Sequence, residues 1–224
     1  MLLGLSGCIG SGKDTVANYL ASHDFIKLSY ADSLKDICSS LFGWKRELIE
    51  GTTNESREFR ETIDTDLDQL FTQFHISDDI PMLQQVTPRK ILQFLGTDLF
   101  RKHMHENIWI CLTVRNIQSL LSQGKHVVVT DCRFQNEIDA IKQLGGTTIK
   151  IIRKPVDDYF TENAKQAVKG NSIALARMKE TNMHESEWMV YGLECDHTVM
   201  NTKTIDDLFH AIQTILEVPS QQQL

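Results

Sequence analysis

The chain has 224 residues, of which 41% are hydrophobic, and its formal net charge is −7. This length is sufficient for one substantial core, so we expect a single domain with insertions. The 23 basic residues are dispersed along an acidic chain, which leaves no continuous cationic stripe for a nucleic-acid backbone. We therefore expect no nucleic-acid partner, whereas small phosphorylated ligands agree with this charge.

The sequence also bears on the compartment. It has no apolar run of the length that spans a bilayer, and a strand-like segment begins at once, without a signal-peptide pattern. Five cysteines, an odd number without CxxC spacing, predict reduced and mostly buried thiols. We therefore expect a cytoplasmic protein with no membrane partner.

A glycine-rich segment, GCIGSGKDT at residues 7–15, follows the first predicted strand and precedes a predicted helix. This order of strand, loop and helix is that of a phosphate-binding P-loop. Glycines let backbone N–H groups wrap around a phosphate, and a lysine adds positive charge at the helix N-terminus. The alternative is a glycine-rich turn with a solvated lysine. We predict phosphate binding by Gly7, Ile9, Gly10, Ser11, Gly12, Lys13, Asp14 and Thr15.

Magnesium ligands are expected close to this loop. The strict motif has Ser or Thr directly after the lysine, whereas here Asp14 stands there and Thr15 follows. A carboxylate can bind Mg²⁺ directly or through water, so the site is retained with a different ligand. Asp131, which ends a predicted strand, is a further candidate, although aspartate is also common in ordinary turns.

Five β-rich runs alternate with segments of helical periodicity, which predicts a parallel sheet with crossover helices. The predicted strands are Leu2 to Ser6, Ile26 to Tyr30, His126 to Asp131, Thr147 to Ile152 and His197 to Asn201. The predicted helices are clearest at 14–22, 137–144 and 205–216. In the last of these, core-face spacing selects Ile205, Leu208, Phe209, Ile212, Ile215 and Leu216.

Two connections are longer than one crossover helix requires. Residues 32–123 predict a helical insertion beside the sheet. Residues 154–195 are rich in charged side chains and predict a lid over the phosphate site, with a solvated helical hairpin of no further role as the alternative. The α/β core then comprises about 1–31, 124–153 and 196–218.

Arginines are candidates for chemistry on a phosphate, because phosphoryl transfer requires positioned cations that stay charged. The candidates are Arg89, Arg101, Arg133 and Arg153, although each one alone is more typical of a surface residue. A phosphate acceptor is already largely ionised near neutral pH, so no general base is required. The sequence agrees, since it shows no Ser-His-Asp, Cys-His or zinc-type constellation.

The sequence resembles the phage-type deoxynucleoside monophosphate kinases, within the P-loop nucleoside monophosphate kinase group. The resemblance rests on ordered blocks at 5–15, 30–35, 89–101, 107–110, 128–137, 144–146, 151–153 and 184–187. It implies a P-loop NTPase fold with a helical NMP-binding insertion and a lid. Residues 44–81 lie outside these blocks, and Lys154 stands where the family usually has proline.

The resemblance also implies roles for single residues. The loop would bind the phosphates of ATP, with Asp14, Thr15 and Asp131 around Mg²⁺. Residues implied at the monophosphate are Asp32, Lys35, Arg89, Gln93, Arg101, Trp109 and Arg133. Lys13, Arg133 and Arg153 would be catalytic, with Arg153 at the lid base and His184 and Glu187 in the lid.

These observations predict an enzyme that transfers the ATP γ-phosphate to a deoxynucleoside monophosphate, giving the diphosphate for DNA precursor synthesis. A related small-molecule kinase, of the dephospho-coenzyme A or phosphomevalonate type, is an alternative. A nucleotide-dependent switch is another, although the guanine-selecting Asn-Lys-x-Asp motif is absent from the sequence. The accepted base and the formation of a homodimer stay open.

Overall fold

The computed structural model describes residues 1–8, 10–181 and 185–217, and for residues 185–187 it describes the backbone alone. Its five strands form one parallel sheet in the order β2-β3-β1-β4-β5. The strands are β1 (Leu2–Ser6), β2 (Phe25–Leu28), β3 (His126–Val129), β4 (Thr147–Ile152) and β5 (His197–Met200). The predicted α/β class with a five-stranded parallel sheet is confirmed.

The helices, in chain order, are α1 (Lys13–Ala21), α2 (Asp32–Phe42), α3 (Asn54–Glu61), α4 (Thr65–Gln73), α5 (Ile76–Asp79), α6 (Pro88–Gln93), α7 (Ile108–Ser122), α8 (Gln135–Gln143), α9 (Asp158–Val168), α10 (Ser172–Glu180), α11 (Glu185–Gly192) and α12 (Ile205–Glu217). A 3₁₀ turn covers Pro81–Leu83, and a wide helical segment covers Phe94–Met104. Among the residues that the structure describes, no helix combines the length and the apolar character needed to cross a bilayer.

Strand β1 lies at the centre of the sheet, and all five of its residues are buried. Apolar side chains of β1, β4, α1 and α12 form one core cluster beside it. Three predicted strands end earlier than expected, at Leu28, Val129 and Met200. Ser29 follows β2 and Asp131 follows β3, and their side chains hydrogen-bond to each other. Both residues therefore belong to the loops at the C-terminal ends of these strands.

Helix α12 packs on this core through Leu208 and Ile212. Phe209 is half-buried and stacks on Tyr19 of α1, with 4.2 Å between the ring centroids. The core-face assignment of Ile205 was wrong, because this side chain is 54% exposed. It is the first residue of α12, one turn before the helix meets the core.

Helices α10 and α11 each pack on α9, and the three helices form an apolar cluster of their own. Trp188 and Met178, at 2% and 1% exposure, lie at its centre. The many charged residues of 154–195 therefore surround a packed centre of tryptophan, methionine and alanine. A lid function for this segment stays a prediction.

Contacts divide the chain into two compact units, one comprising 1–29 with 114–224 and the other comprising 30–113. The second unit contains α2 to α6, the wide helix and the first part of α7. Its core includes Trp44, Ile49, Val86 and Ile91. The boundary lies at 113/114 within α7, earlier than the predicted 123, and Ile117 on the later part of α7 is fully buried.

Candidate active site

The predicted P-loop connects the central strand β1 to α1 within the first unit. Gly12 caps α1 in the left-handed conformation, with φ of 103°. Ser11 N–H donates to the Cys8 carbonyl at 3.1 Å, which closes the turn before the helix. The free N–H groups of the first turn and the positive end of the helix dipole can therefore attract an anion at this point.

Asn201, the residue after β5, holds this loop in place. Its Nδ2 donates to the Ser11 carbonyl at 2.8 Å, and its backbone N–H donates to the Ile152 carbonyl, also at 2.8 Å. A Cβ added at Gly12 would lie only 2.4 Å from Asn201 Nδ2. The backbone conformation thus favours glycine at position 12, and a side chain there would displace Asn201 Nδ2 from the Ser11 carbonyl.

The loop also contains polar groups suited to a phosphate. The hydroxyls of Ser6 and Ser11 are buried and have no hydrogen-bond partner within the described chain. Buried polar groups in folded proteins are normally satisfied, so these hydroxyls fit a site that receives a polar ligand. Lys13 is half-buried at the start of α1 and adds an ammonium group. The residues present therefore fit a bound nucleotide phosphate chain.

The metal-site candidates lie on two elements next to this loop. Asp14 and Thr15 are in the first turn of α1, whereas Asp131 follows β3. Asp131 reaches the loop side of the sheet because the next residue, Cys132, donates its N–H to the Leu5 carbonyl at 3.0 Å. Ser29 Oγ donates to Asp131 Oδ2 at 2.6 Å and fixes one carboxylate oxygen.

Within the described ranges, no three His, Cys, Asp or Glu side chains are grouped as a metal site. This pattern is compatible with Mg²⁺ held by one or two carboxylates together with substrate phosphates and water. Carboxylate and hydroxyl oxygens are ligands that Mg²⁺ accepts, so the three candidates fit this ion chemically.

Arg133 is exposed in the loop after β3, and the buried carboxylate of Glu137 shapes that loop. Glu137 Oε2 accepts the backbone N–H of Arg133 at 2.8 Å and that of Phe134 at 3.1 Å. The guanidinium of Arg133 forms no ion pair with any described carboxylate and is available for a ligand.

Arg153, directly after β4, extends to the P-loop. Its Nη1 lies 3.5 Å from the Gly10 carbonyl, at the limit of a hydrogen bond. Gly10 itself has φ of 75°, and an added Cβ there would meet no atom within 4 Å. The structure thus brings one of the predicted catalytic arginines to the rim of the phosphate loop.

The second unit contains the residues that were predicted to face the monophosphate. Asp32 and Lys35 lie at the start of α2 and belong to a cluster that also includes Asp36, Arg46 and Glu50. Lys35 Nζ donates to Glu50 Oε1 at 2.6 Å. Arg46 contacts three carboxylates, with Nε 2.7 Å from Asp36, Nη2 3.0 Å from Asp32, and Nη1 against Glu50. We call these five residues the Glu50 cluster.

Glu50 is ionised in this setting. Burial alone would raise the pKa of Glu50, but hydrogen bonds from Lys35 and Arg46 and their positive charges overcome this effect and lower it. For Arg46, burial alone would lower the pKa, but the hydrogen bonds and negative charges of Glu50 and Asp36 outweigh this effect and raise it. The cluster holds two cations and three carboxylates, so the positive charge of Lys35 is neutralised within the protein.

The remaining residues predicted at the monophosphate have varied environments. Arg89, at the start of α6, pairs with Glu61 at the end of α3. Gln93 is exposed at the end of α6, and Arg101 is half-buried in the wide helix. Trp109 is 3% exposed, and its Nε1–H donates to the Gly96 carbonyl at 2.9 Å, which is the environment of a packing residue. Substrate contact by these four residues stays a prediction.

Sequence reasoning missed Asn201, Arg46 and Glu50, and it assigned no role to Glu137. The only available signal concerned Glu137, which is the third residue of a helix that follows a loop, a position where glutamate often accepts backbone N–H groups. Ile9 and His184 lie outside the described residues, as does the side chain of Glu187, so their predicted roles are not addressed by the structure.

The family model and the related sequences that match this chain carry the same description. The family described as "Deoxynucleotide monophosphate kinase" matches residues 45–179. An Acanthamoeba polyphaga mimivirus protein assigned as a deoxynucleotide monophosphate kinase is 38% identical over 192 residues, covering 80% of this chain and 89% of that protein. The deoxynucleotide monophosphate kinase of Enterobacteria phage T4 is 26% identical, covering 72% of this chain and 86% of its own.

Among solved structures, a dephospho-CoA kinase from Campylobacter jejuni covers 96% of both chains at 16% identity, with a TM-score of 0.43. That likeness is too distant for a functional conclusion. The family match begins at residue 45 and so includes all but the first residue of the segment 44–81, which had no counterpart in the matching sequence blocks. The match covers more than half of the sequence, and the chain therefore belongs to the deoxynucleotide monophosphate kinase family.

Proposed function

We propose that this protein transfers the γ-phosphate of ATP to a deoxynucleoside monophosphate and releases the diphosphate used as a DNA precursor. The observation that carries the proposal is the P-loop, in which a left-handed Gly12 and a buried Ser11 hydroxyl without a hydrogen-bond partner among the described residues precede the N-terminus of α1. Membership of the deoxynucleotide monophosphate kinase family supports the choice of acceptor. The loop lies outside the family match at 45–179, so the geometry supports it independently.

The residues of the first unit would share the work on the transferred phosphate. Backbone N–H groups at the start of α1 and the ammonium of Lys13 would bind the phosphate chain. Arg133 and Arg153 would stabilise the negative charge of the transferred phosphoryl group. Most of this charge lies on its oxygens, which accept hydrogen bonds from arginine N–H groups. Arginine stays protonated throughout, so this role requires no proton transfer.

Asp14, Thr15 and Asp131 would hold Mg²⁺ if the enzyme requires it. When bound, this ion would neutralise charge on the phosphate oxygens of ATP. Ser29 would orient the carboxylate of Asp131 through the hydrogen bond of 2.6 Å.

The second unit would recognise the monophosphate through Asp32, Lys35, Arg89 and Arg101, with Gln93 and Trp109 as further contacts. An incoming phosphate must then compete with Glu50 for Lys35 and with Glu61 for Arg89. Closure of residues 154–195 as a lid would exclude water and favour transfer over hydrolysis.

The direct test mixes purified protein with ATP, Mg²⁺ and each of dAMP, dGMP, dCMP and dTMP, and separates the nucleotides by anion-exchange chromatography. We expect a deoxynucleoside diphosphate with at least one acceptor, at a rate well above ATP hydrolysis without acceptor. Ribonucleotides serve as the matched acceptors that differ only at the 2′ position.

Dephospho-coenzyme A and phosphomevalonate belong in the same assay, because related kinases act on them. Transfer to one of these and to no deoxynucleotide would contradict the proposal. ATP binding without transfer to any acceptor would contradict it as well and would indicate a nucleotide-dependent switch.

A further inference from the structure

A cleft of about 490 Å³ lies in the first unit, between α9 and the strands β4 and β5, of which β5 is the edge strand. One side consists of Glu162, Lys165 and Gln166 of α9 and of Lys169, which caps this helix, at the i, i+3, i+4 and i+7 spacing of a single helix face. The other side consists of Lys150, Thr198 and the loop residues Leu193, Glu194 and Cys195. None of these residues belongs to the P-loop or to the Glu50 cluster.

Lys150 is the buried cation of this cleft, with an exposure of 8%. Its Nζ donates to the Leu193 carbonyl at 2.9 Å and to the Tyr191 carbonyl at 3.3 Å, at the C-terminal end of α11. The negative end of the helix dipole and these two carbonyls explain how a lysine is tolerated there. An ammonium has three donors, so one N–H remains for a further acceptor.

The charges around Lys150 are unbalanced. Glu194 is paired with Lys169 at 2.8 Å, and Glu162 accepts the amide of Gln166, also at 2.8 Å. Within the described part of the chain, neither Lys150 nor Lys165 forms an ion pair. Burial lowers the pKa of Lys150, the neighbouring Cys195 offsets part of this effect, and the positive charge of Lys165 lowers the pKa further. The cleft thus holds two ammonium groups that form no ion pair with a described carboxylate, although the charges of Lys165 and Glu194 attract each other across it.

We propose that this cleft binds the phosphate group of a small phosphorylated molecule through Lys150 and Lys165. A phosphate offers several charged acceptors, and each hydrogen bond it accepts from an ammonium is stronger than one between neutral groups. Its negative charge turns the repulsion between the two lysines into attraction to a common ligand. Thr198 adds a hydroxyl donor, and the volume exceeds that of one phosphate ion, which leaves room for an organic part. This proposal does not depend on the proposed kinase activity.

The test follows backbone amides by NMR in ¹⁵N-labelled full-length protein during titration with inorganic phosphate or deoxyribose 5-phosphate. We expect saturable shifts at Cys195 and Thr198, whereas Gly12 reports binding at the P-loop separately. Tighter binding of the sugar phosphate assigns the cleft to organic phosphates, and equal binding assigns it to free phosphate. Lys165→Gln should weaken binding at the cleft about tenfold, as expected for the loss of one charged hydrogen bond, and leave the Gly12 titration unchanged.

Lys179→Gln, which changes an exposed lysine outside the cleft, is the matched control and should alter neither titration. Lys165 is half-buried and pairs with no carboxylate that the structure describes, so its replacement should preserve the fold, which the dispersion of the spectrum verifies. Lys150→Met provides a second variant that should abolish the cleft titration if it folds. The proposal is overturned if Cys195 and Thr198 show no saturable shift, or if Lys165→Gln binds phosphate at the cleft as tightly as the unmodified protein.

Discussion

Lys13 of the P-loop forms no ion pair with a described carboxylate, whereas Lys35, Arg46 and Arg89 of the second unit each contact at least one. The first region consists largely of backbone. Its conformation depends on Gly12, on the turn at Ser11 and on the hydrogen bond from Asn201. The second region consists of side chains that neutralise one another.

The difference concerns what an anion must displace. At the P-loop, a phosphate meets N–H groups and an ammonium whose charge no described side chain offsets. At the Glu50 cluster, a phosphate must replace a carboxylate that already accepts the Lys35 ammonium at 2.6 Å. We therefore expect changes in the first region to act mainly on catalysis and loop geometry, and changes in the second to act on both stability and acceptor affinity.

The largest effect is expected for Lys13→Ala. Loss of this positioned cation should lower kcat by about 10²- to 10³-fold, the usual effect of removing one preorganised donor from a transition state. Since Lys13 forms no ion pair within the described ranges, the unfolding midpoint should change little. Steady-state rates and a thermal melt measure the two effects, with the exposed Lys125→Ala as control. Near-normal turnover in this variant would show that Lys13 has no catalytic role.

Gly12→Ala tests the backbone part of the comparison. An alanine at φ of 103° costs about 1–2 kcal/mol in backbone strain, and its Cβ would overlap Asn201 Nδ2. We expect a loss of about 2–3 kcal/mol in the free energy of unfolding, measured by chemical denaturation.

Gly10→Ala is the matched control for this change. Gly10 also has a positive φ, of 75°, but an added Cβ meets nothing within 4 Å, so only the strain term of about 1–2 kcal/mol remains. Equal losses in the two variants would show that the contact with Asn201 does not restrict position 12.

The same contrast explains what the sequence could predict. The P-loop is local, since strand, glycines, lysine and helix follow one another within twenty residues, and each has its own sequence signal. The parallel sheet could be predicted equally well, because buried strands have continuous apolar runs in the sequence. Only the bounds of β2, β3 and β5 differed from the prediction, and Ser29 and Asp131, after β2 and β3, bond to each other.

The contacts that fix the site were not predictable in this way. Asn201 lies 190 residues from Ser11 in the sequence, and a single asparagine after a strand has no distinguishing pattern. Arg46 and Glu50 lie in a segment where charged residues are typical of a solvated surface. Whether a lysine such as Lys35 is open to ligand depends on which carboxylate the fold brings to it, and this is a tertiary property.

Glu50→Gln tests the neutralised cluster. The charge that holds Lys35 and Arg46 is lost, but the side chains involved are about one-tenth to one-third exposed, so water screens part of the effect. We expect a loss of about 1–2 kcal/mol in the free energy of unfolding near pH 7.

The pH dependence of this loss has a defined sign. The pKa of Glu50 is lowered in the folded protein, so its charged contacts stabilise the fold above the pKa of the unfolded chain, about 4.3. As the pH falls through the folded-state pKa, the advantage of the unmodified protein over Glu50→Gln should disappear. Denaturation curves between about pH 3 and pH 7 measure this difference, with Glu47→Gln as the exposed control. A pH-independent difference would show that Glu50 acts by packing alone.

The smallest stability effect is expected for Glu61→Gln, because Arg89 and Glu61 have side-chain exposures of 43% and 58%. An exposed ion pair contributes at most about 1 kcal/mol, so the unfolding midpoint should barely change. If Arg89 contacts the acceptor, its release from Glu61 should still lower KM for the deoxynucleoside monophosphate while kcat stays the same. Kinetics with Glu58→Gln, on the same helix, provide the control. An unchanged KM would place Arg89 outside the acceptor site, and a lowered KM for Glu50→Gln alone would assign acceptor binding to Lys35.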